Sequence, residues 1–380
     1  MFSSFHRRLL FLLLPVLVTG CAGLPVTGQL PEGVRVEQVA SSAVGAPFAP
    51  SPDGSRLAFG RAGLQLLDLA SRSQQALDSE TPAALAWSAD GTTLAAAFHR
   101  ERESRVQLYT VAGTKGATVR VAGRVAELRW LPTSELLVAT DERTTYSFGI
   151  NFNQALLRWN GTEPPTAVRL HDATVQPGVQ KLLGNQLDHF FTLSLSPQGD
   201  EVAYTRLQSP PEFATYLRVI LRSLDSGTER EVANVSLLSG GALFDQDGER
   251  LLVGDGTAAT VWYDPWSSTQ LATLPPPGRS LALAGDTLLI DGRLYRGTTE
   301  IAAFPSDSVG LFAARGTLLF LRQGTSIYRI AGLPAVTTPQ LDPARQEKLR
   351  ELRSWRAKGL ISAADYQSAK ERILKNETAP

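Results

Sequence analysis

The sequence is poor in the residues that build metal sites and catalytic centres. It has one cysteine, Cys21, and four histidines among 380 residues. A single cysteine excludes a disulfide within the chain and the paired-cysteine zinc sites. No H-E-x-x-H, G-x-S-x-G or Walker-type glycine loop is present. A Ser/His/Asp triad can still be assembled from distant residues, but the sequence predicts no catalytic residue, no metal site and no cofactor.

The chain also lacks an excess of charge of either sign. Lys+Arg and Asp+Glu both number 37, and charged residues make up only 19% of the chain. A balanced charge gives no general affinity for nucleic acid, so no nucleic-acid partner is expected. The sequence is instead rich in turn formers, with 32 glycines and 23 prolines. This composition favours an all-β protein with many short strands.

The first 20 residues have the organisation of a secretory signal peptide. Arg7 and Arg8 precede the apolar run 9–18, and the small residues Thr19 and Gly20 follow it. A basic segment, a short apolar segment and a small-residue cleavage site define such a peptide. The run is shorter than the about 20 apolar residues that a transmembrane helix needs.

The four residues 18–21, Val-Thr-Gly-Cys, resemble the lipobox of bacterial lipoproteins. The resemblance implies cleavage before Cys21, acylation of Cys21 (palmitate among the acyl groups) and a permanent membrane anchor. Ala22 rather than Asp after the cysteine implies the outer membrane, with the protein facing the periplasm. The alternative is an ordinary signal peptide with a chance cysteine. Residues 21–33 are predicted to be a lipid-proximal leash, flexible from Ala22 to Pro31.

A repeat of one turn followed by two apolar strands recurs along the chain. Its clearest copy is Ser51-Pro52-Asp53-Gly54, which fits a type I turn, followed by Leu57-Ala58-Phe59. Buried apolar triplets suit strands covered on both faces, which radial stacking of four-stranded units provides. The seven copies begin at Ser51, Trp87, Trp130, Leu195, Phe244, Leu283 and Phe312.

The chain therefore predicts a β-propeller over residues 34–333, with seven blades and with six or eight as alternatives. The Ser-Pro-Asp-Gly turn resembles the repeat of TolB-like and WD40-like propellers. The alternating residues from Val34 to Val39 are predicted to complete the seventh blade and close the ring; the alternative is a disordered extension of the leash. Trp87, Trp130 and Phe244 occupy one repeated position and are predicted to be blade core.

The carboxy-terminal segment changes to helical patterns after a linker at 334–342. Asp342 and Pro343 predict a helix start, and Ser362 with Asp365 predicts a capping box for a second helix. The pattern from Leu349 to Leu374 resembles the SHOCT module, a short carboxy-terminal helical hairpin, here at 343–376. That resemblance implies oligomerisation or interaction. Its apolar residues are expected to bury against the propeller, another copy or a partner; they are Leu349, Leu352, Trp355, Tyr366, Ile373 and Leu374.

A second candidate interaction surface is the long insertion between the third and fourth repeats. It is predicted to be a loop whose aromatic residues serve either local packing or recognition. Its candidate residues are Tyr146, Phe148, Phe152, His171 and His189.

Together these features predict a lipid-anchored envelope protein that is not an enzyme. Its propeller is expected to act as a protein-interaction scaffold, with a homo-oligomer possible through residues 343–376. One alternative is an envelope hydrolase or small-ligand sensor that uses the central mouth of the propeller. Another is a structural envelope protein that assembles with itself.

Overall fold

The computed structural model describes residues 24–27, 30–146, 149–162, 164–175, 192–208, 216–224, 226–334, 343–357 and 360–375. The first half of the ring contains β1 (Arg35–Ser41), β2 (Phe48–Pro50), β3 (Arg56–Arg61), β4 (Gly63–Asp68), β5 (Gln74–Asp78), β6 (Ala84–Trp87), β7 (Thr93–Arg100), β8 (Glu103–Thr110), β9 (Lys115–Ala122), β10 (Arg124–Trp130), β11 (Leu136–Tyr146), β12 (Gly149–Trp159) and β13 (Thr166–Val175). The second half contains β14 (Leu193–Leu195), β15 (Glu201–Gln208), β16 (Tyr216–Ser223), β17 (Glu229–Val235), β18 (Gly241–Phe244), β19 (Leu251–Gly254), β20 (Thr260–Asp264), β21 (Thr269–Leu274), β22 (Leu281–Ala284), β23 (Thr287–Ile290), β24 (Arg293–Arg296), β25 (Thr299–Ala303), β26 (Val309–Ala313), β27 (Leu318–Gln323) and β28 (Ser326–Ala331).

These strands form seven four-stranded antiparallel sheets. Blades one to six each take four consecutive strands, from β2–β5 through β22–β25. We name the strands of a blade a to d, from the axis outward. The prediction of a seven-bladed all-β propeller is confirmed.

The repeated turn between strands a and b is held by its own side chains. The Ser51 hydroxyl donates to Asp53 Oδ1 over 2.6 Å, and the amide of Ser55 donates to the same oxygen over 3.0 Å. Gly54 has a φ of +70°, which is costly for any residue with a Cβ. Directly after the turn, Leu57, Ala58 and Phe59 are fully buried between neighbouring blades.

The seventh blade closes the ring with strands from both ends of the chain. β26, β27 and β28 supply its strands a to c, and β1 supplies strand d. Arg35 pairs with Ala331, and Ser41 pairs with Ser326. The closure predicted for residues 34–39 is therefore confirmed.

Residues 24–27 differ from the predicted flexible leash. Leu24 is 8% exposed and packs with Phe304 and Leu333. The amide of Thr27 donates to the Ala303 carbonyl, and the Ala303 amide donates back, both over 2.8 Å. The leash prediction failed here because Leu24 and Val26 cover apolar side chains on the outer edge of blade six.

The two faces of the ring carry different connections. The a–b and c–d turns of every blade lie on one side, which we call the a–b face; the b–c turns and the connections to the next blade form the b–c face. Blade three is extended toward the b–c face, because β11 and β12 have 11 residues each and stay paired as far as Tyr146 and Gly149.

Two helices follow the propeller, α1 (Pro343–Ala357) and α2 (Ala363–Lys375). The predicted capping box starts α2: the Asp365 amide donates to Ser362 Oγ over 3.1 Å, and the Ser362 amide donates to Asp365 Oδ2 over 3.3 Å. Asp342, the predicted first cap, lies outside the described residues. No helix in the described ranges is both long and apolar enough to cross a membrane.

Candidate interaction surfaces

The insertion predicted to be a loop is largely β-sheet in the described residues. Tyr146 ends β11, Phe152 lies in β12 opposite Arg143 and Ala173, and His171 lies in β13 opposite Gln154. Thr144, Thr145 and Ile150 favour strand, and the strands prolong a sheet that already exists. The structure thus brings three of the predicted residues to one extended hairpin. Phe148 and His189 lie outside the described residues.

The helical hairpin packs on the a–b face of blade five. Leu349, Leu352 and Tyr366 are 1%, 5% and 1% exposed. The Tyr366 ring lies 6.1 Å from the ring of Trp266, which belongs to the turn between β20 and β21. The prediction that the apolar stripe can bury against the propeller is therefore confirmed for Leu352 and Tyr366.

Other predicted hairpin residues contribute less to this contact. Ile373 is partly buried against the same cluster as Trp266, whereas Trp355 is 47% exposed. Leu360, at the start of the turn after α1, is 67% exposed. The side chain of Leu374 lies outside the described part of the chain. Trp355 and Leu360 thus form a partly exposed apolar tip of the hairpin.

Buried ion pairs join the hairpin to blade five. Arg353 of α1 donates to Glu249, which lies in the turn between β18 and β19. Lys370 of α2 lies 2.8 Å from Glu249 Oε2 and 3.3 Å from Asp264 Oδ2. All four side chains are less than 10% exposed. Two cations of the basic hairpin are therefore matched by two carboxylates of the propeller.

Trp266 is the centre of this docking surface. The Arg230 guanidinium lies 4.1 Å from the Trp266 ring centre, and the Arg353 guanidinium lies 5.3 Å from it. Arg230 also donates to the Pro265 carbonyl over 2.9 Å and to Glu201 Oε1 over 3.1 Å. A cation over an aromatic face is attracted by the ring quadrupole, so both guanidinium groups stabilise the position of Trp266. In the same cluster, burial raises the pKa of the Tyr366 hydroxyl above its usual range.

Sequence reasoning missed the propeller half of this surface. Glu249 and Asp264 are ordinary turn residues in the sequence, and no spacing relates them to Arg353 or Lys370. One local signal was available: Trp266 places a large apolar side chain in a c–d turn, between Pro265 and Ser267, where polar residues are usual.

The polar clusters that resemble catalytic or metal sites serve the fold. His99 Nδ1 lies 3.2 Å from Ser104 Oγ, but Ser104 is fully buried, and its hydroxyl donates to the Gly123 carbonyl and accepts from the Val125 amide. Asp245 accepts from the amides of Glu249 and Arg250 and so caps its turn. In the described part of the chain, no three His, Cys, Asp or Glu residues are placed to hold a metal ion.

The fold and these surfaces define a seven-bladed β-propeller of the WD40-like type with a helical hairpin docked on one blade. The β-propeller domain of Cps50 (Swd1) from Myceliophteria thermophila is similar, with a TM-score of 0.53 and 14% identity over 78% of this chain and 99% of that one. A chain of the mitotic checkpoint complex matches with a TM-score of 0.58 and 14% identity, over 80% and 96% of the two chains.

The Dos1 propeller is also similar, with a TM-score of 0.52 and 11% identity, over 80% of this chain and 98% of that one. At these identities the likeness shows the fold alone. No family model and no curated protein sequence matches the chain.

Proposed function

We propose that this protein is a membrane-anchored bacterial lipoprotein whose propeller acts as a non-catalytic scaffold for envelope proteins. A propeller presents a rigid ring with two broad faces, which suits protein binding. The signal peptide at 1–20 and the lipobox-like residues before Cys21 support export and lipid attachment. The proposed location is the cell envelope, at the outer membrane and facing the periplasm, for which Ala22 after the cysteine is the support.

The attachment of residues 24–27 to blade six is the structural observation that best supports the proposed membrane anchor, because it indicates which face would lie near the bilayer. The bridge between Thr27 and Ala303 is antiparallel, and Ala303 ends the outer strand of blade six at the b–c face. Residues before Thr27 therefore run toward that face. Cys21 precedes the buried Leu24 by three residues, which span at most about 10 Å. A lipid on Cys21 would hold the b–c face of blade six close to the bilayer.

The helical hairpin lies on the opposite, a–b face. We infer that it is an integral part of the scaffold and, by its resemblance to SHOCT modules, a point of self-association. Its exposed tip, Trp355 and Leu360, supports this role because large apolar side chains exposed together mark contact sites. The hairpin would then join two copies away from the membrane.

Lipid attachment is tested by labelling cells with radioactive palmitate and fractionating their membranes. The protein is expected to take up label and to sediment with membranes, whereas Cys21→Ser should be unlabelled and released. A labelled Cys21→Ser protein, or an unlabelled wild type, would refute the anchor.

The scaffold role is tested by cross-linking in native membranes and capture of the full-length protein. A reproducible envelope protein is expected with the wild type. The double variant Trp355→Ser/Leu360→Ser should lose only self-association, measured by sedimentation of the purified protein. Recovery of the protein alone would contradict the scaffold.

A further inference from the structure

One junction between blades differs from its neighbours on the a–b face. In three junctions the proline of one a–b turn packs on the glycine of the next turn. Pro52 Cδ lies 3.6 Å from the position of a Cβ on Gly91, Pro132 Cδ lies 2.4 Å from that position on Gly199, and Pro197 Cδ lies 3.2 Å from it on Gly248. Each proline ring therefore fills the gap between two turns.

The junction between blades two and three lacks both partners of this contact. The turn of blade two has Ala89 in the proline position, and the turn of blade three has Ser134 in the glycine position. The turns are otherwise alike: the amide of Gly91 donates to Ser88, and the amide of Ser134 donates to Leu131. Ser134 even keeps the positive φ of +66°. A cavity of about 420 Å³ opens where the ring is missing.

The cavity combines an aromatic wall with a charged rim. Its lining includes Trp130, Trp159 and Leu108. The Trp130 ring forms the aromatic part of the wall and is fixed, because its Nε1 donates to the Ala86 carbonyl over 3.1 Å; Trp159 is 3% exposed and contributes only an edge. Asp90 stands at the rim, where hydrogen bonds from the Ser88 hydroxyl and the Thr92 amide lower the pKa of its carboxyl group. The carboxylate is therefore charged at neutral pH.

We propose that this cavity binds an extended peptide segment of a partner protein, which inserts a proline ring beside Ala89 and places a basic side chain near Asp90. The proposal rests on the scaffold function and names the chemistry of its partner. The filled junctions show that a pyrrolidine ring fits this position between two turns. Proline-rich segments bind aromatic-lined grooves with little loss of conformational entropy, because they are already extended.

The test uses the full-length protein in detergent and a hexapeptide that carries fluorescein on its amino terminus, fluorescein-Ala-Lys-Pro-Ala-Pro-Ala amide, so that the lysine side chain stays charged, with fluorescence anisotropy as the readout. The double variant Ala89→Pro/Ser134→Gly rebuilds the filled junction, and Ser134→Gly alone leaves the cavity open as the matched control. The peptide should bind the wild type and Ser134→Gly alike, and the double variant about tenfold more weakly, the loss expected for one displaced apolar group. The melting temperature of the double variant should equal or exceed that of the control.

Two further comparisons examine the chemistry of the ligand. A peptide with alanine in place of both prolines should bind the wild type about fivefold more weakly, since it loses part of its apolar contact. Asp90→Asn should weaken binding of the lysine-containing peptide about threefold, as for an exposed ion pair.

Equal binding to the double variant and its control, or equal binding of the proline and alanine peptides, would overturn the proposal, as would no binding at all. Unchanged binding by Asp90→Asn would overturn its ionic part. If the peptide does not bind while cross-linking still captures an envelope partner, the proposed peptide site is refuted and the scaffold function is supported. If neither peptide binding nor a captured partner is seen, both proposals are refuted.

Discussion

Two ionic clusters lie on different parts of the propeller, and their surroundings differ greatly. Glu249 and Asp264 on blade five face Arg353 and Lys370, and all four side chains are less than 10% exposed. On the outer strand of blade one, Asp78 accepts from the Tyr109 hydroxyl of blade two over 2.8 Å and pairs with Lys115 and Arg105 of the same neighbouring blade. Asp78 is 5% exposed, but Lys115 is 56% and Arg105 24% exposed, so solvent reaches this cluster through its cations.

The ion pairs of the two clusters have different structural roles. Between blades one and two, the carboxylate joins strands of blades that are already neighbours in the ring. On blade five, the carboxylates fix the position of a separate helical module. A buried charge that loses its partner cannot be rescued by water, whereas an exposed one can. The blade-five cluster should therefore be far more sensitive to substitution.

The largest effect is expected for Glu249→Ala. It leaves Arg353 and Lys370 buried with only Asp264, which should destabilise the docked hairpin by about 3–5 kcal/mol. Limited proteolysis should then cleave within 343–375 while the propeller stays intact. Glu231→Ala, which removes the exposed partner of Arg218, is the matched control and should leave the hairpin protected. A protected hairpin in Glu249→Ala would show that apolar packing alone holds it.

An intermediate effect is expected from acid on the cluster between blades one and two. Burial opposes ionisation of Asp78, but hydrogen bonds from Tyr109, the Glu80 amide and Lys115 outweigh it and lower its pKa to about 2. Because the folded pKa is below the ordinary value of 3.8, the stabilisation is complete above pH about 4 and is lost as the pH falls toward about 2.

Thermal melting of the wild type and Asp78→Asn across this range measures the effect of that carboxylate. The difference between the two melting temperatures should shrink as the pH falls from about 4 to about 2. A constant difference would mean that Asp78 contributes through its shape and hydrogen bonds rather than its charge.

The smallest effect is expected for Lys115→Ala. An exposed pair of this kind contributes roughly 0.2–1 kcal/mol to the free energy of unfolding, and salt screens it further. Chemical denaturation at low and high salt should show a small loss at low salt that vanishes at high salt. A loss as large as that of Glu249→Ala would remove the distinction between the two clusters.

The fold was predictable from the sequence because its signals are local and repeated. The turn at Ser51–Gly54 and the triplet Leu57-Ala58-Phe59 recur often enough to give the blade number, and the alternation after Val34 gave the closing strand. The insertion was misassigned because strand pairing there depends on a sheet formed elsewhere. The docking surface was half predicted: the apolar residues of the hairpin follow a helical period, but Glu249 and Trp266 are brought to it only by the closed ring.

The pairing of β1 with β28 means that the ring can close only after its last strand has been synthesised. Strand β1 is the first of the ring to emerge during synthesis, yet its partner β28 is the last. Contacts between such distant segments form slowly. Strand β1, which lies beside the proposed lipid anchor, therefore stays unpaired until the final blade has formed. During this interval an exposed strand edge can pair with other chains. A factor that shields the first strand until the last one is in place would help a protein closed in this way to fold.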